Sequence, residues 1–334
     1  MNTFRYYNLL KPPKISLSCK YPIAVRYAST SARDSQTIQL QDGRILGFNE
    51  CGRSNDYPMI FMHGYPASRL ETLGMDEVAK RHNLRIITPD RNGYGLTTFN
   101  PNHGILDWPA DIRELARHLG LKRFAVLGGS GGSPYALACA ALLPHEILSG
   151  VGILAGAGPW EAGAHHMSLL YRINAIMAHH WPSGYGGLLN LLVWMLRRAL
   201  SSPSGAQRID KWLEGHAERL DSESSIKERR EVIARQVLEA FRQGAGPAVH
   251  DARLLTTSWG IRFEEVTYNK VKIWHGTKDT NAPIQLMRYM AERLPHCELH
   301  EFEEDTHFTM HRHLDRVLTE LVSVKCRTKG RANT

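Results

Sequence analysis

Cysteine is scarce in this 334-residue chain: Cys19, Cys51, Cys139, Cys297 and Cys326 make an odd five, with no C-x-x-C pair among them. Scattered singly, they offer no disulfide framework, and a reducing compartment is expected. Long apolar runs are missing too; none reaches the roughly 18 residues needed to span a bilayer, so no membrane span is expected. No Gly-Lys-Ser/Thr ends a phosphate-binding loop, and G-x-G-x-x-G fails from Gly128 onward because Ser133 takes the last glycine position. The 17 histidines include the pairs His165/His166 and His179/His180, but none has a cysteine or carboxylate cluster at zinc-ligand spacing, so no metal is expected.

Acids are missing from both ends. Residues 1–33 hold six Lys/Arg and no Asp or Glu, and residues 321–334 hold four and none. Those ten charges exceed the formal net charge of +8 and leave the body of the chain at −2, which argues against a basic groove for nucleic acid. The leader, with Arg5, Lys11, Lys14, Lys20, Arg26 and Arg33 among Ser, Thr and Tyr, has the composition of a mitochondrial transit segment, and Arg26-Tyr27-Ala28-Ser29 resembles a matrix-processing site. Pro12-Pro13 weakens the helix such a segment needs, so the alternative is a disordered basic leader on a cytoplasmic protein.

Glycine, by contrast, is concentrated where it matters. Gly128-Gly129-Ser130-Gly131-Gly132 follows the apolar run Phe124-Ala125-Val126-Leu127 and precedes a helix-like stretch from Ser133 to Leu143. A strand that reverses so sharply strains its central residue and demands small residues two before and two after it, which Gly128 and Gly132 supply. Ser130 is therefore the candidate nucleophile. Ser133 is not, because Tyr135 occupies its plus-two position. The amide of Gly131, at the helix start, points toward a developing oxyanion.

A serine hydroxyl near neutral pH needs a histidine to take its proton and a carboxylate to orient that histidine. Behind a nucleophile elbow the order is Ser, acid, His, each on a loop after a successive parallel strand. Val271 to Gly276 reads as a buried strand, followed by the turn Thr277 to Pro283, which makes Asp279 the candidate acid. Glu298 to Phe302 alternates like a strand and leads into Glu303-Glu304-Asp305-Thr306-His307, which makes His307 the candidate base. His311 and His313 are near rivals but fall within the terminal helix pattern, and the Glu303–Asp305 run holds the alternative acids.

Over about residues 37–325 the chain resembles the serine α/β-hydrolases with a helical cap, the group of many small-molecule esterases. The likeness rests on the serine elbow, Phe61-Met62-His63-Gly64-Tyr65-Pro66, Asp90-Arg91-Asn92-Gly93-Tyr94-Gly95-Leu96-Thr97, Gly276 to Pro283, and His307. It implies a mostly parallel, doubly wound sheet with an inserted helical cap and no cofactor. It also implies a second oxyanion amide at Tyr65, paired with Gly131, on a loop braced by His63 and Gly64. Thr306 departs from the pattern, standing where glycine is common.

The rest of the pattern fits this frame. Asp42-Gly43 marks a hairpin between Thr37–Leu40 and Arg44–Glu50; Met59–Met62, Arg85–Thr88 and Gly150–Leu154 read as strands, and Arg69–Arg81 and Asp107–Leu119 as helices. From about 159 to 260 the strands stop and helices are predicted over Met167–Met177, Leu188–Leu200, Ala206–Leu220 and Ile226–Phe241. Leu188 to Leu196 is apolar almost all round, which predicts burial on both sides. The expected division is a leader at 1–33, a core at 34–158 and 261–325 interrupted by a cap at 159–260, and a basic tail at 326–334. The expected activity is serine ester hydrolysis of a small molecule with an apolar acyl or alcohol part. Thioesterase, aminopeptidase, carbon–carbon-bond hydrolase and a ligand-binding receptor of the same fold remain alternatives.

Overall fold

A computed structural model describes residues 32–215 and 225–322. The transit reading of the leader, the end of the predicted helix 206–220 and the basic tail lie outside the described residues.

The hairpin at Asp42-Gly43 joins strands β1 (Gln36–Gln39) and β2 (Ile45–Cys51), which pair antiparallel with Ile38 opposite Leu46 and Gly43 at φ +86°. Beyond them come β3 (Tyr57–Met62), β4 (Leu84–Pro89), β5 (Phe124–Gly129), β6 (Leu148–Leu154), β7 (Val271–Gly276) and β8 (Cys297–Phe302). They form one eight-stranded sheet in the order β1-β2-β4-β3-β5-β6-β7-β8, parallel from β4 to β8. All six residues of β5 are buried, and its sequence is continuously apolar because both sheet faces are covered.

Period-two alternation sorts the side chains to those faces. Met59, Phe61, Ala125 and Leu127 point into a core with Ala79 of α1 (Asp76–Arg81) and Val317, Leu318 and Leu321 of α10 (Leu314–Val322). Ile60, Met62, Phe124 and Val126 point to the other side, against α2 (Trp108–His118), α3 (Ser133–Leu142) and α9 (Ile284–Arg293). Each of the larger aliphatic, methionine and phenylalanine side chains among them contributes roughly 1.5–3 kcal/mol when fully buried. Cys139 lies in this second core, and burial pushes its thiol up, away from reactivity.

Between β6 and β7 the chain builds the cap from α4 (Leu169–His180), α5 (Pro182–Leu200), α6 (Pro203–Glu214), α7 (Ile226–Ala240) and α8 (Gly246–Leu255). A capping box, Ser225 with Glu228, starts α7. The cap is fastened to the core by buried polar ties: Arg69 Nη1 reaches Asp90 at 2.9 Å and Glu239 of α7 at 2.7 Å, and Arg91 Nη1 reaches Asp251 of α8 at 2.7 Å. No helix among the described residues is long and apolar enough to cross a membrane.

Four expectations need correcting. The helix predicted over Arg69–Arg81 is a 3-10 turn, Arg69–Thr72, and the short α1, because Gly74 at φ +87° breaks it. After the predicted helix Ile226–Phe241 comes a further helix that was not expected, α8, with Pro247 in its first turn, where its missing N–H costs nothing. Arg33 does not belong to the leader; it lies in a 3-10 turn, Ala32–Asp34, and donates to the Gly52 carbonyl at 2.5 Å. Finally, α5 is not buried on both sides. Only a stripe including Tyr185, Leu189 and Val193 packs inward, while Leu188, Leu191, Leu192, Trp194 and Met195 are exposed.

Candidate active site

Ser130 follows the last residue of β5 and takes φ +48°, a left-handed conformation that costs a non-glycine residue of order 1–3 kcal/mol. The turn is possible only because its neighbours lack side chains. A Cβ on Gly132 would lie 2.1 Å from the Met62 carbonyl oxygen, and one on Gly128 would lie 2.6 Å from that of Gly132. The chain then passes through the 3-10 turn Ser130–Gly132 into α3, so the Gly131 amide stands at the positive end of a helix. The Tyr65 amide nitrogen approaches from the β3 loop, 3.1 Å from where a Gly131 Cβ would be. The two predicted oxyanion donors are thus adjacent.

The loops after β7 and β8 bring the other two candidates to the serine. Asp279 accepts from the amides of Asn281 and Ala282 at 2.8 Å through Oδ1, which leaves Oδ2 aimed at His307. His307 Nδ1 donates to that oxygen at 2.7 Å, so Nε2 is the bare nitrogen, and it lies 3.0 Å from Ser130 Oγ. The rivals are engaged elsewhere. His313 pairs with Asp305 at 2.6 Å, His311 Nδ1 lies 2.5 Å from the Phe308 carbonyl, and Glu304 pairs with Lys278. Thr306, the departure from the family pattern, has its amide bound by Thr309 Oγ1 at 2.8 Å.

A buried polar layer holds the oxyanion loop. His63 accepts from the Arg91 amide at Nε2, 2.9 Å, so its Nδ1–H faces the Gly64 carbonyl at 3.0 Å; burial, then the Arg91 charge, pushes its imidazole pKa well below 6.5. Arg91 donates to the same Gly64 carbonyl at 2.7 Å while Asp251 neutralises it, and Tyr94 and Tyr135 also donate to Asp251, at 3.0 and 2.7 Å. From the opposite side, Glu71 accepts from the Gly64 amide at 2.6 Å, its carboxyl pushed up by burial.

Of this layer the sequence named His63 and Gly64 as bracing residues and Arg91 and Tyr94 within a motif. It missed Glu71, Asp251 and His275. His275, on β7, is fully buried 3.4 Å from Asp279, and burial lowers its pKa. Its place in the strand just before the acid's turn was the available signal; Asp251 had none, since its helix went unrecognised.

Above Ser130 opens a narrow cavity of about 100 Å³ between the sheet edge and the cap. Its walls are Trp160, Met167, Tyr171, Ala175, Ala252 and Leu255, with Asn174, Thr256 and Asn281 as neutral polar groups; among the described residues no carboxylate lines it. Among the described residues no group of three or more His, Cys, Asp or Glu side chains is placed to hold a metal ion.

This sheet, elbow and inserted cap are those of the α/β-hydrolase fold. The family model for that fold matches residues 57–314, and the chain belongs to this family. Among curated relatives, the chain is 32% identical over 123 residues to a proline iminopeptidase of Xanthomonas citri, covering 34% of this chain and 37% of that one. It is likewise 32% identical over 126 residues to a proline iminopeptidase of Xylella fastidiosa, covering 36% and 39%. The chain thus spans under two fifths of the length of these relatives. Among solved structures it resembles an esterase from Exiguobacterium antarcticum, with a TM-score of 0.56 at 19% identity over 86% of this chain and 98% of that one. An esterase from Rhodococcus sp. ECU1013 gives 0.58 at 16% identity, over 87% and 98%. At these identities the likeness is one of fold.

Proposed function

We propose that the protein is a serine hydrolase that cleaves small esters with an apolar acyl part. The observation that carries this reading is the continuous relay from Ser130 through His307 to Asp279 beneath an apolar cavity. In the proposed cycle, His307 Nε2 takes the Ser130 proton as Oγ attacks the ester carbonyl, and Asp279 stabilises the imidazolium. The Tyr65 and Gly131 amides receive the oxyanion. As the tetrahedral adduct collapses, the alcohol leaves with the proton from His307, and the acyl group stays on Ser130. Water, deprotonated by the same nitrogen, then releases the acid and restores the serine.

The relatives' name offers a second reading, an aminopeptidase. Its substrate would bring an ammonium group beside the scissile bond, and an ammonium removed from water needs an anion or several acceptors. Among the described residues the cavity wall is apolar or neutral, which favours a neutral acyl group instead.

A fluorophosphonate probe and parallel assays with nitrophenyl acyl esters, acyl thioesters and prolyl arylamide test both points. Expected are labelling at Ser130, fastest turnover on an ester, and a loss of about 10³-fold or more for Ser130→Ala. Asp279→Asn should lose much of the rate while Asp305→Asn keeps it. Prolyl arylamide as the best substrate would overturn the ester reading, and an unlabelled Ser130 would leave a ligand-binding protein.

A further inference from the structure

The net charge of the body conceals a segregated stretch. From residue 162 to 209 there is no aspartate or glutamate, yet there are four arginines, Arg172, Arg197, Arg198 and Arg208, all exposed. These residues build α4, α5 and the start of α6.

Among the described residues, α4 and α5 carry most of the large exposed apolar side chains. On α4, Leu170 is 65% and Ile176 59% exposed, with Ile173 between them on one face. On α5, Leu188, Leu191, Leu192 and Met195 are exposed at helical spacing, and Trp194 is 57% exposed. Trp181, 62% exposed, stands between the helices. Arg198 lies 5.9 Å over the Trp194 ring and shares with Arg208, Ser202 and Ser204 a shallow depression at the α5–α6 turn.

Three occupants could cover such a face. A second copy would set one arginine-bearing surface against another. Residues 1–31 hold five Lys/Arg and no acid, so they too carry the wrong sign. An anionic phospholipid surface matches both properties at once: leucine, isoleucine and tryptophan enter the headgroup boundary while arginines meet the phosphates.

We propose that α4 and α5 dock this protein on the surface of an anionic bilayer, lying on it without crossing it. The opposite side of α4 supplies Tyr171, Asn174 and Ala175 to the cavity above Ser130, so docking would set one wall of that cavity directly behind the lipid-facing helix. The docking proposal stands independently of the chemistry assigned to the triad.

Sedimentation of the full chain with vesicles tests it, comparing pure phosphatidylcholine with phosphatidylcholine containing about one third phosphatidylglycerol. Binding should favour the anionic vesicles and weaken with added salt. Arg197→Gln with Arg198→Gln should reduce partitioning about tenfold or more, and Leu191→Ser with Trp194→Ser should reduce it comparably, both with wild-type Tm. Equal binding to both vesicles, or cap variants that bind like wild type because the leader alone binds, would overturn the proposal. So would a dimer by light scattering that Trp194→Ser dissociates, or a collapse of Tm in both double variants, since either means that protein already covers this face.

Discussion

Leu127 and Leu192 are the same side chain in neighbouring layers of the molecule, one fully buried in β5 and the other 48% exposed on α5. The difference lies in what each element needs. A central parallel strand is covered on both faces, so every apolar residue on it finds a partner. A cap helix needs only one inward stripe, here Tyr185, Leu189 and Val193, and the leucines beyond that stripe are surplus to folding. Apolar content therefore reports packing in the sheet and something other than packing in the cap.

The seam between these regions is where the largest stability effect is expected. Asp251 comes from the cap and compensates Arg91 from the core, both almost fully buried. Asp251→Ala leaves an unpaired guanidinium in the interior and should cost about 3–5 kcal/mol in denaturant unfolding. Because Arg91 also holds the Gly64 carbonyl, turnover should fall with it. A loss under about 1 kcal/mol would mean that water reaches the seam and that core and cap are less tightly joined than these contacts imply.

The same contrast explains what could be read from the sequence. Ser130 was legible because a strained turn leaves a covalent signature, glycines at fixed offsets. Asp279 and His307 were legible because loops after parallel strands converge at one sheet edge. Glu71 and Asp251 carry no local signature, since their roles depend on which loop and which cap helix arrive from far along the chain. The burial of α5 was misread for a related reason: a sequence shows how much apolar surface a helix has, not how many neighbours come to cover it.

A pH experiment reads a titrating group of the core. His275 is held neutral by burial, its folded pKa below 6.5, whereas the unfolded chain takes up a proton near that value. Its stability contribution is therefore complete above pH 6.5 and is lost as pH falls toward its folded pKa. Relative to His275→Gln, which lacks this proton, the wild-type advantage should be constant at higher pH and shrink on acidification, by up to about 1.4 kcal/mol per pH unit. Denaturant unfolding across that range measures it. A gap that widens in acid would mean that His275 is charged in the fold, pulled up by Asp279 against its burial.

The smallest expected effect is the most direct test of the opening comparison. Leu127→Ala removes side-chain volume from a closed core and should cost about 2–5 kcal/mol. Leu192→Ser makes a harsher change in polarity at an exposed site, and without lipid it should move stability by no more than about 0.5 kcal/mol. The effect is small because a hydroxyl in water replaces an isobutyl group that already faced water in the folded state. Unfolding of the two variants side by side decides the point: comparable losses would show that α5 is covered in the native protein and that its leucines belong to packing after all.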